Sequence, residues 1–197
     1  MSIEELFEHF DAYERLPVSV NDIRDQIIDM GCQDDIQFHL VDVDPSKLRG
    51  VLERYTVHNA PYAEPTFCSN ICIARDLTAP WRRVVAAKEL LHILDSEDEA
   101  AANEESVVKL INRMSQPFEF QNETRSSFSD KSRLVLAIGI LVPKECRKWL
   151  KQIYELGQMT EEEIARIADI PDRYVPPLLD EGFEYLFSPE TWKENKA

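Results

Sequence analysis

The chain has 197 residues, of which 44% are hydrophobic, enough for one domain with a real core and room for a small appendage. It carries 37 acidic and 22 basic residues, a formal net charge of −15, which opposes non-specific binding to nucleic acid and to anionic membranes. No apolar run reaches the roughly 18 residues that a membrane span needs. We therefore expect neither a DNA partner nor a membrane partner, and the acidic surface suits a protein partner with a basic face.

Four cysteines bear on the compartment: Cys32, Cys68, Cys72 and Cys146. The polar, acidic N-terminus has no signal-peptide pattern, so we expect a cytoplasmic chain with reduced thiols. The pair at positions 68 and 72 invites a metal interpretation. It lacks a second pair at zinc-ribbon spacing, and the residues after Ile71 are typical of a strand, so we expect no metal there.

Two amphipathic helices are predicted at the start of the chain. Residues 2–13 place Leu6, Phe7 and Phe10 on one face, as a short helix would. Asn21 is expected to cap the second helix, which ends at Gly31.

A strand-rich segment follows the helices. The strands are predicted at residues 36–43, 51–58 and 67–74, with a Pro-rich turn at 59–65. The alternation in the first strand turns Ile36, Phe38 and Leu40 inward. His39 and His58 fall in these segments, and we interpret both as ordinary polar or core residues.

From Thr78 onward the pattern is helical. Thr78 is the predicted cap of a helix with Pro80 in its first turn, where the missing N–H costs nothing. The later helices are predicted at residues 107–114, 131–141, 143–156 and 160–168, with an acidic segment at 95–105 and a polar loop at 115–129. In the third of these helices we expect Trp149, Leu150 and Ile153 to face the core.

Residues 160–179 superficially resemble a helix-turn-helix. Residues 160–163 form a capping box, and Pro171 begins a second helix that Pro176 and Pro177 keep short or irregular. A DNA-reading helix normally offers Arg, Lys, Asn or Gln, and this one offers a single Arg. We expect the hairpin to pack against the core instead.

The most informative stretch lies in the helix that Pro80 begins. In His-Glu-x-x-His, two histidines one turn apart bind zinc, and the Glu acts as base on the metal-bound water. Glu89 and His92 keep that spacing, but Lys88 stands at the first His position, and a protonated Lys has no lone pair for zinc. Asp95 adds a carboxylate one turn further. Lys88, Glu89, His92 and Asp95 would form a polar stripe along one face of the helix. That stripe alone is also compatible with a solvated helix face, so the neighbouring segments decide between the two interpretations.

The neighbours of this stretch supply that context. Residues 71–92 are similar to an edge strand followed by an Arg-x-x-x-x-x-His-Glu-Leu-Gly-His helix. Residues 136–143 are similar to a Phe-Ala-x-x-Leu-Leu-Met-Pro segment, and residues 159–179 to the Thr-x-Glu-Glu-Ile-Ala helices after it. In this order they resemble the ImmA/IrrE family of zinc metallopeptidase-like proteins, over roughly residues 17–180.

The resemblance implies a zinc site from which this chain departs. His92 would be one ligand, and Asp130, thirteen positions before the proline of the third stretch, would replace the family's Glu ligand. Two protein ligands fall short of the three typical of catalytic zinc, so we expect no cofactor, with zinc only if the protein is active. Lys88 would then take the place of the metal, paired with Glu89, Asp95 or Asp130. Asp95 would otherwise support the site from a second layer.

We therefore predict an α+β fold with a zincin-like helical core, a small β-sheet and a C-terminal helical hairpin. Residues 1–157 would form the metallopeptidase-type domain, residues 158–187 the helix-turn-helix-like hairpin packed on it, and residues 188–197 a tail. Family members commonly occur in mobile elements, phages and stress responses, and they often control a repressor. The resemblance thus implies a catalytically inactive regulatory protein that binds a protein partner, with Glu89 vestigial.

Two alternatives remain open. The first is an active zinc metallopeptidase that cleaves a repressor-like protein, with Glu89 as general base and His92 and Asp130 among the ligands. The second is a DNA-binding regulator, which would use the hairpin after Thr160 and whose binding would weaken with added salt.

Overall fold

Two capped helices open the structure, a computed structural model that describes residues 2–58, 64–94, 125–180 and 183, with the backbone alone at 125–132. Helix α1 (Ile3–Asp11) starts with a capping box at Ser2 and buries the predicted apolar face. Helix α2 (Val20–Asp29) is capped by Ser19, whose hydroxyl accepts the backbone N–H of Asn21. The prediction that Asn21 is the cap was wrong, because the extended backbone that a cap requires lies two residues earlier.

The three predicted strands form one mixed sheet. They are β1 (Asp35–Val41), β2 (Gly50–Val57) and β3 (Thr66–Ala74), in the order β1-β3-β2. The central strand β3 runs parallel to β1 and antiparallel to β2, which places Ile71 beside both Phe38 and Leu52. Ile36 is buried as predicted, whereas Leu40 is 41% exposed. Leu40 lies near the end of β1, which is an edge strand of the sheet.

That helix is α3 (Ala79–His92), and it forms the centre of the molecule. Thr78 is its cap and Pro80 lies in its first turn, both as predicted. It packs on β2, β3, α2 and α4 (Arg125–Leu141). Helix α4 begins earlier than expected, so the predicted loop was wrong for residues 125–129. Burial of its apolar second half anchors the helix, which then extends into the polar residues before it.

Shorter helices complete the C-terminal part. They are α5 (Lys144–Glu155), α6 (Glu161–Ala168), a 3-10 turn (Asp172–Tyr174) and α7 (Val175–Leu179). Thr160 and Glu163 form the predicted capping box. Trp149 was expected in the core but is 47% exposed. Cys146 and Leu150, one turn apart, take the buried face of α5, which turns Trp149 toward solvent.

The described residues thus define an α+β fold with a small three-stranded sheet. Among these residues, the structure contains no helix both long enough and apolar enough to cross a membrane. The predicted acidic segment at 95–105, the helix at 107–114 and the tail from 188 lie outside the described residues, as does most of the turn at 59–65. One apolar core joins the helices to the inner face of the sheet.

Candidate functional site

The polar stripe of α3 is not a solvated helix face. Glu89 is buried among apolar neighbours, with a side chain only 4% exposed, and Lys88 is 14% exposed. Nζ of Lys88 lies 2.9 Å from Oε1 of Glu89. Burying a carboxylate costs free energy unless a countercharge accompanies it. Lys88 supplies that charge. Of the three carboxylates named as alternative partners for Lys88, the structure places Glu89 against it.

The contact between these two side chains is electrostatic rather than a well-formed hydrogen bond. Although 2.9 Å is a hydrogen-bonding distance, Oε1 of Glu89 accepts no hydrogen bond of good geometry from any described residue. Adjacent residues on a helix point in different directions, so the lysine must bend back to reach its neighbour. We therefore treat the pair as a buried ion pair, and its Coulomb attraction is the interaction that neutralises Glu89.

The first residue of β2 closes over this pair. A methyl group at Gly50 would clash with Cγ1 of Val85 and come within 3.3 Å of Oε1 of Glu89. The backbone of β2 therefore lies directly against α3 beside Glu89, and only glycine leaves room for the Val85 side chain. The strand shields the pair from water and strengthens the attraction between its charges.

The other predicted site residues are placed only in part. His92 is the last residue of α3 and is half-buried. Asp130 lies in α4, which packs on α3, but its side chain is outside the described residues, as is Asp95. Lys88 stands where the first histidine ligand of the motif would be, so of that histidine pair the helix offers His92 alone. A single histidine does not fit the paired-histidine arrangement by which this motif holds a catalytic zinc.

The cysteines do not build a metal centre among the described residues, where no three His, Cys, Asp or Glu side chains come together. All four thiols are free. Burial is the main factor that raises the pKa of Cys72, and the nearby Glu53 carboxylate raises it further. Burial likewise raises the pKa of Cys32 and Cys146. A raised pKa keeps these thiols protonated, which lowers their reactivity.

Sequence reasoning missed a clamp made by Arg83. Its guanidinium donates to the carbonyl oxygens of Ala168 at 2.5 Å and Asp169 at 2.7 Å, and also to that of Val18. Burial lowers the pKa of Arg83, and the Asp169 carboxylate opposes this change, so the group keeps its charge. The clamp ties the end of α6 and the segment before α2 to α3.

The sequence reasoning also missed a cationic and aromatic group at the start of α3. We call it the Arg–Trp cluster, and its members are Arg49, Trp81, Arg173 and Tyr174. The guanidinium carbon of Arg49 lies 4.2 Å from the Trp81 ring centroid, and that of Arg173 lies 5.8 Å from it. The Trp81 and Tyr174 rings meet edge to face at 5.5 Å. Burial raises the pKa of Tyr174, against the lowering effect of Arg173, Arg49 and Lys88.

The C-terminal hairpin contributes apolar side chains to the core of the described residues. Its first helix buries Ile164, Ala165 and Ala168. Its second helix, α7, has five residues and buries Val175 and Leu178. So short a helix, with its apolar positions turned inward, offers few side chains for a DNA groove.

Comparison with known proteins gives no relative for this chain. No family model matches it, and searches of curated proteins and of solved structures return no match. The resemblance to ImmA/IrrE sequences therefore rests on the stretches of this chain quoted above.

Proposed function

We propose that this chain is a catalytically silent metallopeptidase-like protein of the ImmA/IrrE type that acts by binding a partner protein. The observation that carries the proposal is the buried ion pair between Lys88 and Glu89. In a working site, Glu89 would act as base on a metal-bound water. Here the ammonium of Lys88, at the position of the first metal ligand, lies 2.9 Å from that carboxylate, so Glu89 would have no metal-bound water to deprotonate.

The ion pair would also let the motif helix stay folded without a cofactor. A zinc ion would place positive charge beside Glu89, and Lys88 places a positive charge there permanently. Because Gly50 and Val85 enclose the pair, its charges interact in a partly water-excluded place. The protein would thus retain the architecture of a peptidase site while its chemistry is lost.

A peptidase site that has lost its chemistry would still be able to bind a partner protein. The net charge of −15 favours a protein whose surface is largely basic. The resemblance suggests a repressor-type regulator in a stress, phage or mobile-element context. The active-peptidase alternative would need His92, Asp130 and a further ligand around one metal ion.

Zinc content tests the silent-site proposal. We expect less than about one tenth of an equivalent of zinc in the untagged protein after incubation with zinc and buffer exchange, because two donors bind zinc weakly. Elemental mass spectrometry measures this, and thermal unfolding with and without a chelator provides a second readout. We expect the chelator to leave the midpoint unchanged.

The control is His92→Ala, which removes the one motif ligand retained in the sequence. Near-stoichiometric zinc in the natural protein, lost in His92→Ala, would contradict a silent site. It would direct work toward peptide substrates and the effect of Glu89→Gln on cleavage.

A further inference from the structure

Among the described residues, the two guanidinium groups of the Arg–Trp cluster have no carboxylate partner. Within the part of the chain that the structure describes, neither Arg49 nor Arg173 forms an ion pair with a carboxylate, whereas Arg54 and Arg75 each pair with an aspartate. Carboxylates are abundant in this chain, at 37 against 22 basic residues. Because like charges repel, holding two arginines around one ring costs free energy that a bound anion would offset.

The geometry leaves donors free for such an anion. When a guanidinium group stacks on an indole ring, the flat face of the guanidinium contacts the ring. The edge of the guanidinium then presents N–H groups in a planar fork. Arg49 stacks in this way on Trp81, at 4.2 Å. Arg173 is exposed and lies 5.8 Å from the same ring. Two such forks suit a planar carboxylate, which accepts two parallel hydrogen bonds.

The cluster lies on the face of α3 that carries the ion pair. Trp81, Val85 and Lys88 follow one another at one-turn spacing, so they share that face. Arg49 directly precedes Gly50, the residue that closes over Glu89. The charge of Lys88 acts to lower the pKa of Tyr174, so the ion pair lies near the cluster.

We infer that the Arg–Trp cluster binds a carboxylate-bearing peptide segment of the partner protein. A nucleic acid would bring many phosphates toward a chain of net charge −15, and the repulsion would outweigh two arginines. A short acidic peptide segment brings only a few carboxylates and leaves the rest of the partner free to be basic. Such a partner would satisfy both the acidic surface and this local cationic site.

This inference rests on the proposed function for the partner being a protein, but its failure is distinguishable. Zinc content reports on Lys88, Glu89 and His92, whereas anion binding reports on Arg49 and Arg173. A zinc-free protein that binds no anion would contradict the inference about the Arg–Trp cluster and leave the proposed function standing.

The test uses Trp81 as the reporter in full-length protein carrying Trp149→Phe and Trp192→Phe, which leaves one tryptophan of three. Tetraglutamate is titrated at constant ionic strength, and tetraglutamine, inorganic phosphate and a short DNA duplex are titrated alongside. We expect tetraglutamate alone to give a saturable change in Trp81 fluorescence. Arg49→Gln and Arg173→Gln should each weaken that binding about tenfold, because each removes a charge-assisted donor.

The matched control is Arg75→Gln, which removes the same charge from an arginine already paired with Asp42. It should leave tetraglutamate affinity within about twofold of the unsubstituted value. Arg173 is exposed, so Arg173→Gln keeps the test valid if Arg49→Gln fails to fold. Binding of phosphate or of duplex DNA in preference to tetraglutamate would overturn the peptide assignment. The absence of binding, or equal weakening by all three substitutions, would overturn the site.

Discussion

Lys88→Met should lower the free energy of unfolding by about 2–3 kcal/mol, because it leaves the Glu89 carboxylate buried without its countercharge. The estimate lies at or below the lower end of the range for broken buried pairs, since Lys88 keeps 14% of its side chain exposed. Chemical denaturation at neutral pH measures the change. The loss follows from leaving one charge alone and does not mean that the pair itself stabilises the fold by this amount.

Two controls separate this effect from ordinary loss of a lysine. Lys88→Met combined with Glu89→Gln should recover at least half of the lost free energy, because a neutral amide costs less to bury than a carboxylate. Lys148→Met breaks a pair at 2.7 Å whose side chains are about half exposed, and should cost less than about 1 kcal/mol. Equal losses in Lys88→Met and Lys148→Met would contradict a buried pair.

Arg83→Met should cost about 3 kcal/mol and loosen the C-terminal hairpin in particular. The substitution leaves the carbonyl oxygens of Ala168, Asp169 and Val18 without their charged donor, and hydrogen bonds to charged groups contribute more than neutral ones. Hydrogen exchange should show lost protection in α6 and α7, while the β3 amides keep theirs.

Arg75→Met is the control substitution for Arg83→Met. Arg75 also donates to a carbonyl, that of Leu40 at 2.9 Å, but its side chain is 52% exposed. Arg75→Met should therefore lower the free energy of unfolding by less than about 1 kcal/mol. If Arg83→Met leaves exchange in α6 and α7 unchanged, the hairpin is held by its apolar contacts and the clamp is unimportant.

Local signals explain why so much of the secondary structure could be predicted. Helix periodicity, strand alternation, the proline of α3 and the capping box at Thr160 are set within a few residues, and all of these appear in the structure. The errors arose where tertiary contacts decide. Both Ser19 and Asn21 are cap-type residues, and Trp149 is as apolar as the buried Leu150 beside it.

In the candidate site, too, contacts between sequence neighbours could be predicted and contacts between distant residues could not. Lys88 and Glu89 are neighbours in the sequence, so a motif comparison was enough to suggest their pairing. The Arg83 contacts join residues 65 to 86 positions apart, and no local pattern announces them. The same holds for Arg49, Trp81 and Arg173, which come from three separate parts of the chain. Only the packing of β2 and the hairpin against α3 brings these groups together.

Zinc affinity of Lys88→His, measured by titration against a competing chelator, tests the central claim most directly. If Lys88 stands where the first ligand of a zinc site would be, the substitution restores two histidines one turn apart and removes the ammonium held against Glu89. We expect affinity to rise at least about tenfold over the natural protein, because each added ligand strengthens a zinc site. A folded Lys88→His protein with no gain in zinc affinity would show that this helix does not correspond to a metallopeptidase site.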